Sequence, residues 1–225
     1  MVIFDHNDFT EKYNNNIPQI ISSKFIADTD TPVSALLKIS TNQKYSFLLE
    51  SVEGGKQRGR YSLLGCDPDL IWQVKKGKIS IKTNNEILNE KINLNLNPIE
   101  SLKNILSLSK VERNTKDVPY PILVGYLGYP MIQHMEKISL NNPDTLMIPD
   151  AVMIRPKIAA VFDNIKDTIN IMTVVYPVKN IKAKKAMEIA ANNINNSIQK
   201  LNSEIKKNEI VKIKNSEKNI NPISN

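Results

Sequence analysis

Residues 47–65 read Phe47-Leu48-Leu49-Glu50-Ser51-Val52-Glu53-Gly54-Gly55-Lys56-Gln57-Arg58-Gly59-Arg60-Tyr61-Ser62-Leu63-Leu64-Gly65. The stretch holds four of the chain's seven glycines and two of its four arginines, in a chain whose positive charge is otherwise lysine. Tyr45 to Val52 is apolar and aromatic, and Arg60 to Leu64 is a second such run beyond Gly54, Gly55 and Gly59, so the pattern predicts two short strands joined by a glycine-rich connection. Glu50 interrupts the first run. A carboxylate buried there without a partner would cost several kcal/mol, so it either faces solvent or meets a cation, and Arg58 and Arg60 across the turn are the nearest. Two readings stay open. One is a surface hairpin with a cross-strand ion pair worth about 1 kcal/mol at most. The other is a small polar pocket on two strands, in which Glu50 receives an ammonium, the Ser51 hydroxyl donates or accepts, and Arg60 holds a carboxylate bidentately, a set that suits an amino acid.

Size and composition bound what surrounds this stretch. At 225 residues with 41% apolar content, the chain can bury a core in one large domain or in one and a half smaller ones. The net charge of +7 is mildly basic, but it follows a bias toward Lys, Asn and Ile with little Arg. The dense lysine runs, at Lys179 to Lys185 and Lys206 to Lys218, have no aromatic beyond Tyr176 to stack on bases, which argues against a nucleic-acid surface and for a solvated helix face followed by a linker. A single cysteine, Cys66, excludes an internal disulfide framework and agrees with a reducing compartment. Asp5, His6 and Asp8 follow Met1 too closely for a signal peptide, and no run of about 18 apolar residues could span a membrane. The expectation is a soluble, cytoplasmic protein.

Along the chain, Thr31-Pro32 and Asn97-Pro98 place a capping side chain before a proline at the first helical position. They predict helices over Val33 to Ile39, with Leu36 and Leu37 toward the core, and from Ile99 to about Leu108. A shorter helix is expected at Thr10 to Tyr13 and another at Met131 to Ile138. Cys66-Asp67-Pro68 reads as a turn, with a hairpin around Lys75-Lys76-Gly77 beyond it. Trp72 reads as core. Two glycines in Ile122-Leu123-Val124-Gly125-Tyr126-Leu127-Gly128-Tyr129 suggest a strand whose backbone another element approaches closely. Residues 113–120 are a polar connection. Pro149 to Ile154, Lys157 to Phe162 and Thr168 to Tyr176 read as consecutive strands, the last two a hairpin about Asp163 to Asp167. From Asn180 the period becomes helical, with Met187, Ala190, Ile194, Ile198, Leu201 and Ile205 on one face. Clustered strands without strand-helix alternation predict an α+β fold of antiparallel β-sheets packed together with helices on the outside.

The sequence carries no convincing catalytic constellation. His6 and His134 are isolated, no His-x-His, cysteine pair or dense carboxylate cluster would hold a metal, and the glycines match neither phosphate-loop spacing. Cys66 lacks an evident histidine partner.

Taken in order, Leu48-Leu49-Glu50-Ser51-Val52-Glu53-Gly54-Gly55, Gly59-Arg60-Tyr61-Ser62-Leu63-Leu64-Gly65, Asp67-Pro68, Gly125-Tyr126-Leu127-Gly128-Tyr129 and Pro149-Asp150 closely resemble the N-terminal region of the anthranilate synthase component I family, over about residues 8 to 180. The resemblance implies that residues 1–178 form an N-terminal α+β regulatory domain, 179–207 an amphipathic helix, and 208–225 a linker toward a C-terminal catalytic domain not in this chain. It implies an enzyme that converts chorismate to anthranilate and pyruvate with Mg²⁺ and ammonia from a glutamine amidotransferase partner, the chorismate and metal residues lying in that C-terminal part. The family's Leu-Leu-Glu-Ser segment serves an inhibitory L-tryptophan site, which carries over to Glu50 and Ser51, and more loosely to Arg60, Tyr61 and Ser62, because the cationic position aligns with either Arg60 or Tyr61. The corresponding part of aminodeoxychorismate synthase is the alternative within the fold, and a basic nucleic-acid-binding module the remote one.

Overall fold

The structure is a computed structural model that describes residues 6–41, 43–53, 57–93, 95–111, 120, 122–140 and 144–205. In chain order the elements are α1 (His6–Asn14), β1 (Gln19–Ile26), α2 (Pro32–Ile39), β2 (Ser46–Glu53), β3 (Gln57–Lys75), β4 (Lys78–Thr83), α3 (Glu86–Lys91), α4 (Pro98–Leu108), β5 (Val124–Leu127), a 3₁₀ turn (Tyr129–His134), β6 (Ala151–Asp163), β7 (Thr168–Val175) and α5 (Ala183–Leu201). The strands join one antiparallel sheet of seven, ordered β1-β7-β6-β3-β2, with β4 added to β3 and β5 to β6. The fold is α+β.

Its spine is the β3–β6 pair, and here the structure corrects the sequence reading. The expected turn at Cys66-Asp67-Pro68 and the expected break between Ile154 and Lys157 both lie inside long continuous strands. Pro68 stands directly opposite Pro156, and the register shifts between Pro68 and Leu70. Asp67 takes a left-handed φ of 49°. Two prolines in one register position remove two amide donors from the ladder, so the pair kinks there without ending. The kink divides the sheet. Before it β3 pairs with β2, beyond it with β4; β6 pairs with β5 in one half and with β7 in the other.

Each half has its own core. One face of the first half is covered by α1, α2 and α5, through Phe9, Tyr13, Ala35, Ile39, Ala190 and Ile194 against Leu64, Ala160, Phe162, Ile169 and Ile171. The opposite face carries Ala159, Val161, Met172 and Val174, with Tyr61, Leu63 and Tyr120 beside them. In the second half Trp72 is fully buried, as expected, among Leu70, Val74, Leu88, Ile105 and Met131, and its indole Nε1–H donates to Ser101 Oγ at 3.1 Å.

The capped helices match their signals. Thr31 and Ser34 form a reciprocal capping box, and Asn97 accepts from the Glu100 amide. Three details differ. Leu37 faces solvent, because Ala35 and Ile39 supply the buried stripe of α2. The expected helix at Met131 to Ile138 is a 3₁₀ turn that stops at His134. Neither β1 nor α3 was expected, since Ser22, Ser23 and Lys24 mask the strand pattern and α3 is six residues long. Residues 113–119 of the polar connection and the expected linker at 208–225 lie outside the described residues.

At the junction of α2 and α5 the two helix ends exchange lysines. Lys38 Nζ donates to Leu201 O at 2.7 Å and pairs with Asp30 at 2.9 Å, while Lys200 Nζ donates to Ile39 O at 3.1 Å. Each ammonium thus satisfies a terminal carbonyl at the negative end of the other helix. Lys38→Met is expected to cost about 2 kcal/mol, since it strands both Asp30 and a helix carbonyl, and Lys200→Met about 0.5–1 kcal/mol. A urea midpoint shift at unchanged m-value measures both.

Candidate functional site

β2 is an edge strand, so Glu50 and Ser51 lie at the margin of the sheet, beside β3. Glu50 stands opposite Ser62, in a row that continues through Phe162 and Ile169. Phe162 and Ile169 belong to the core beneath the helices, and Ser62 is buried with them, whereas Glu50 is exposed at the end of the row.

Ser51 behaves differently. The β2–β3 register shifts between Glu50 and Val52: Ser51 alone faces Gly59, Arg60 and Tyr61, so the irregularity lies in β3 opposite Ser51. A Cβ placed on Gly59 would lie 2.1 Å from Ser51 Oγ, so only glycine fits beneath the hydroxyl. By strand alternation Gly59 shares its face with Tyr61 and Leu63, opposite the helices. Four of the five residues named from the sequence are therefore divided: Ser51 and Tyr61 share one face, Glu50 and Ser62 the other, and a molecule touching both Glu50 and Ser51 has to straddle the β2 edge.

Arg60 is met by a carboxylate the sequence did not single out. Its Nη2 lies 3.0 Å from Asp163 Oδ2 and its Nε 3.3 Å from both oxygens. Hydrogen bonding to Arg60 holds the Asp163 carboxyl below the ordinary carboxylate range, so the pair is formed at neutral pH and weakens as acid protonates Asp163. The guanidinium also sits 4.8 Å from the Tyr61 ring centroid. Next to Asp163, the Asn164 amide nitrogen donates to Arg60 O at 2.8 Å, and its side chain to Gly59 O at 2.8 Å and Ser62 Oγ at 3.5 Å. The β6–β7 turn thus fixes the start of β3. Asp163-Asn164 is legible as a turn, but its hold on residues a hundred positions earlier is a product of the register.

Elsewhere, burial pushes the Cys66 thiol up to about 11, so it stays protonated and is a poor nucleophile. Among the described residues no three His, Cys, Asp or Glu side chains converge. No helix among them is long and apolar enough to cross a membrane.

No protein-family model matches the chain. Among curated proteins it is 37% identical to anthranilate synthase component 1 of Cereibacter sphaeroides over 187 residues, which are 81% of this chain and 37% of that protein. It is 32% identical to the component 1 of Thermus thermophilus over 150 residues, or 66% of this chain and 30% of the relative. The Synechocystis component 1 is 34% identical over 167 residues, covering 72% and 32%. Among solved structures, the crystal structure of anthranilate synthase component I from Streptococcus pneumoniae TIGR4 aligns with 80% of this chain and 37% of its own, at a TM-score of 0.47 and 18% identity. By its sequence matches the chain belongs to the anthranilate synthase component I family, and it spans about a third of the length of the curated relatives.

Proposed function

We propose that this chain is the tryptophan-sensing part of an anthranilate synthase component I, which with a glutamine amidotransferase partner converts chorismate to anthranilate and pyruvate. The reacting groups and the Mg²⁺ belong to the part of the enzyme that this chain does not span. The observation that carries the reading is that Leu-Leu-Glu-Ser lies on the edge strand β2, opposite the irregular stretch of β3 where Gly59 leaves room for the Ser51 hydroxyl. That arrangement gives a small ligand a surface it can share with a second structural unit. Inhibition follows by linkage: tryptophan acts only if it binds the inactive arrangement better than the active one, and a tenfold preference corresponds to about 1.4 kcal/mol.

The test is Ser51→Phe in the complete enzyme. A phenyl ring in place of the hydroxyl is expected to abolish inhibition by L-tryptophan and to leave turnover within about twofold, because no catalytic group is touched. Inhibition that persists at ordinary tryptophan concentrations would overturn the assignment. The 225-residue chain alone is expected to form no anthranilate and to bind tryptophan weakly, since part of the site is supplied from elsewhere; a calorimetric affinity in the low micromolar range would contradict this.

A further inference from the structure

The β6–β7 ladder stops short of the kink. Ala159 pairs with Met172, but beyond it Thr173, Val174 and Val175 pair with β1 alone, and β6 next finds a partner on that side at Ile154, opposite Val124 of β5. Pro156 has no amide to offer a neighbour, so the strands part over residues 155–158. Tyr176 belongs to the face opposite the helices, and its ring centroid lies 3.6 Å from Arg155 Cζ, closing one side of the split. On the other side lies α5, which places Ala186 and Ala190 there, one turn apart and both buried, where Met187 and Ile194 fill the core elsewhere. A cavity of about 340 Å³ remains between the helix and the parted strands. Small-molecule sites run from about 300 to 1,000 Å³.

Its walls differ in chemistry. Ile181, Ala186, Ile189 and Ala190 make an apolar roof, and Asp67, Asp69 and Lys157 a charged floor. Asp69 accepts from Arg155 with both oxygens, and Asp67 pairs with Lys157 at 3.3 Å, so the four charges cancel. Each carboxylate oxygen still has a second lone pair, and the Asp69 side chain is 28% exposed. The floor can therefore take a hydrogen-bond donor, whereas a further charge would go unmatched. The rim is fixed in advance: the Val178 amide donates to the Tyr13 hydroxyl at 3.4 Å, and the Asn85 side chain donates to Pro177 O at 3.2 Å. A preformed site spares a ligand the cost of ordering it.

We propose that this split between β6 and β7, roofed by α5, is a second small-molecule site, and that it takes a neutral, ring-sized molecule with a hydroxyl or aromatic amine as donor. The ring packs beneath Ala186 and Ala190, and the donor reaches the carboxylates of Asp67 and Asp69. The site lies on the helix-covered face of the sheet, whereas Ser51 and Tyr61 lie on the other. Asp67 is also five positions beyond Ser62 along β3, roughly 17 Å at the rise of a strand. One small molecule cannot occupy both places, so the inference stands independently of the tryptophan-sensing reading.

The experiment is an amide-detected NMR titration of the ¹⁵N-labelled chain, which reads millimolar affinities and reports folding in the same spectrum. The probe is benzyl alcohol, and the comparator is its isomer anisole, of equal size but without a donor. Benzyl alcohol is expected to shift the amides of Thr173, Val175, Ala186 and Ala190 with one common affinity. Anisole should bind about fivefold more weakly, the worth of one hydrogen bond. Ala190→Leu and Ala186→Leu each put a side chain into the cavity and should abolish the shifts with the spectrum otherwise preserved. Should both variants unfold, the shift map of the parent chain still decides. Equal affinity for anisole would overturn the role of the carboxylates. Shifts confined to other residues, shifts that survive a folded leucine variant, or none up to the solubility of the alcohol would overturn the site.

Discussion

Asp69→Ala is expected to destabilise the chain by about 3 kcal/mol or more, because it leaves the Arg155 guanidinium buried without its counter-charge. Arg155 is completely buried, whereas the Asp69 side chain is 28% exposed. Arg155 Nε and Nη2 donate to the two Asp69 oxygens at 2.6 and 2.8 Å, and Nη1 donates to Ser109 Oγ at 3.2 Å. The Tyr176 ring lies 3.6 Å from Arg155 Cζ, and its hydroxyl donates to Ser109 O at 2.9 Å. Burial pulls the Arg155 pKa down, but the hydrogen bond and charge of Asp69 outweigh it and raise it overall. Burial also pushes the Tyr176 phenol up to about 12, so it stays neutral. The cluster joins the β3–β6 kink to the end of α4 and the end of β7. In a domain of this size a loss of about 3 kcal/mol lowers the unfolding midpoint by roughly 6–12 °C. Partial exposure of Asp69 admits some screening, which is why the lower end of the usual range for a broken buried pair applies. The double change Asp69→Leu with Arg155→Met should recover most of the loss, since apolar groups of similar volume carry no unmet charge. Urea unfolding of Asp69→Leu, Arg155→Met and the double variant measures the coupling, and an Asp69→Ala chain that unfolds like the parent would show that water already compensates the guanidinium.

What could be read from the sequence divides along the same physical line. Helix starts such as Thr31-Pro32 and Asn97-Pro98 are local, a cap and a proline within two residues, and both elements formed where those signals stand. The β3–β6 spine was hidden because Asp67-Pro68 and Pro156 each resemble a break; only their meeting in one register position turns two breaks into a single kink. The site shows the same split. Leu48 to Ser51 is legible as a strand with a misplaced carboxylate, and alternation alone puts Glu50 and Ser51 on opposite faces, but the close approach of Gly59 under Ser51, through the β3 irregularity, is not legible there. Asp163 comes from a strand that carries no motif. It approaches Tyr61 through sheet register, which a single sequence does not display.

Gly125→Ala is the second change expected to have a large effect, and it acts through backbone rather than charge. A Cβ at Gly125 would lie 1.9 Å from Val152 O, 2.8 Å from Val152 C and 2.9 Å from Met153 Cα. None of these atoms can rotate aside as a side chain would, so β5 must move as a whole. β5 is four residues long and pairs with β6 alone, from Val124 opposite Ile154 to Leu127 opposite Ala151. A ladder that short does not survive a shift of an ångström or more, and the contacts that follow it go too. The Gly128 amide donates to Asp150 O at 2.8 Å, and the Tyr126 hydroxyl donates to Pro149 O at 2.9 Å. The expected cost is about 3 kcal/mol or more, the range of other steric insertions into packed structure. Amide hydrogen exchange should show protection lost over Val124–Leu127 while the β6–β7 hairpin keeps its own. Gly77→Ala provides the contrast: its φ of 71° disfavours a side chain, but the nearest atom to an added Cβ is His134 Cε1 at 3.7 Å. That change should cost only about 1 kcal/mol of backbone strain. If Gly125→Ala were no worse than Gly77→Ala, β5 would not be held against β6 as closely as the register requires.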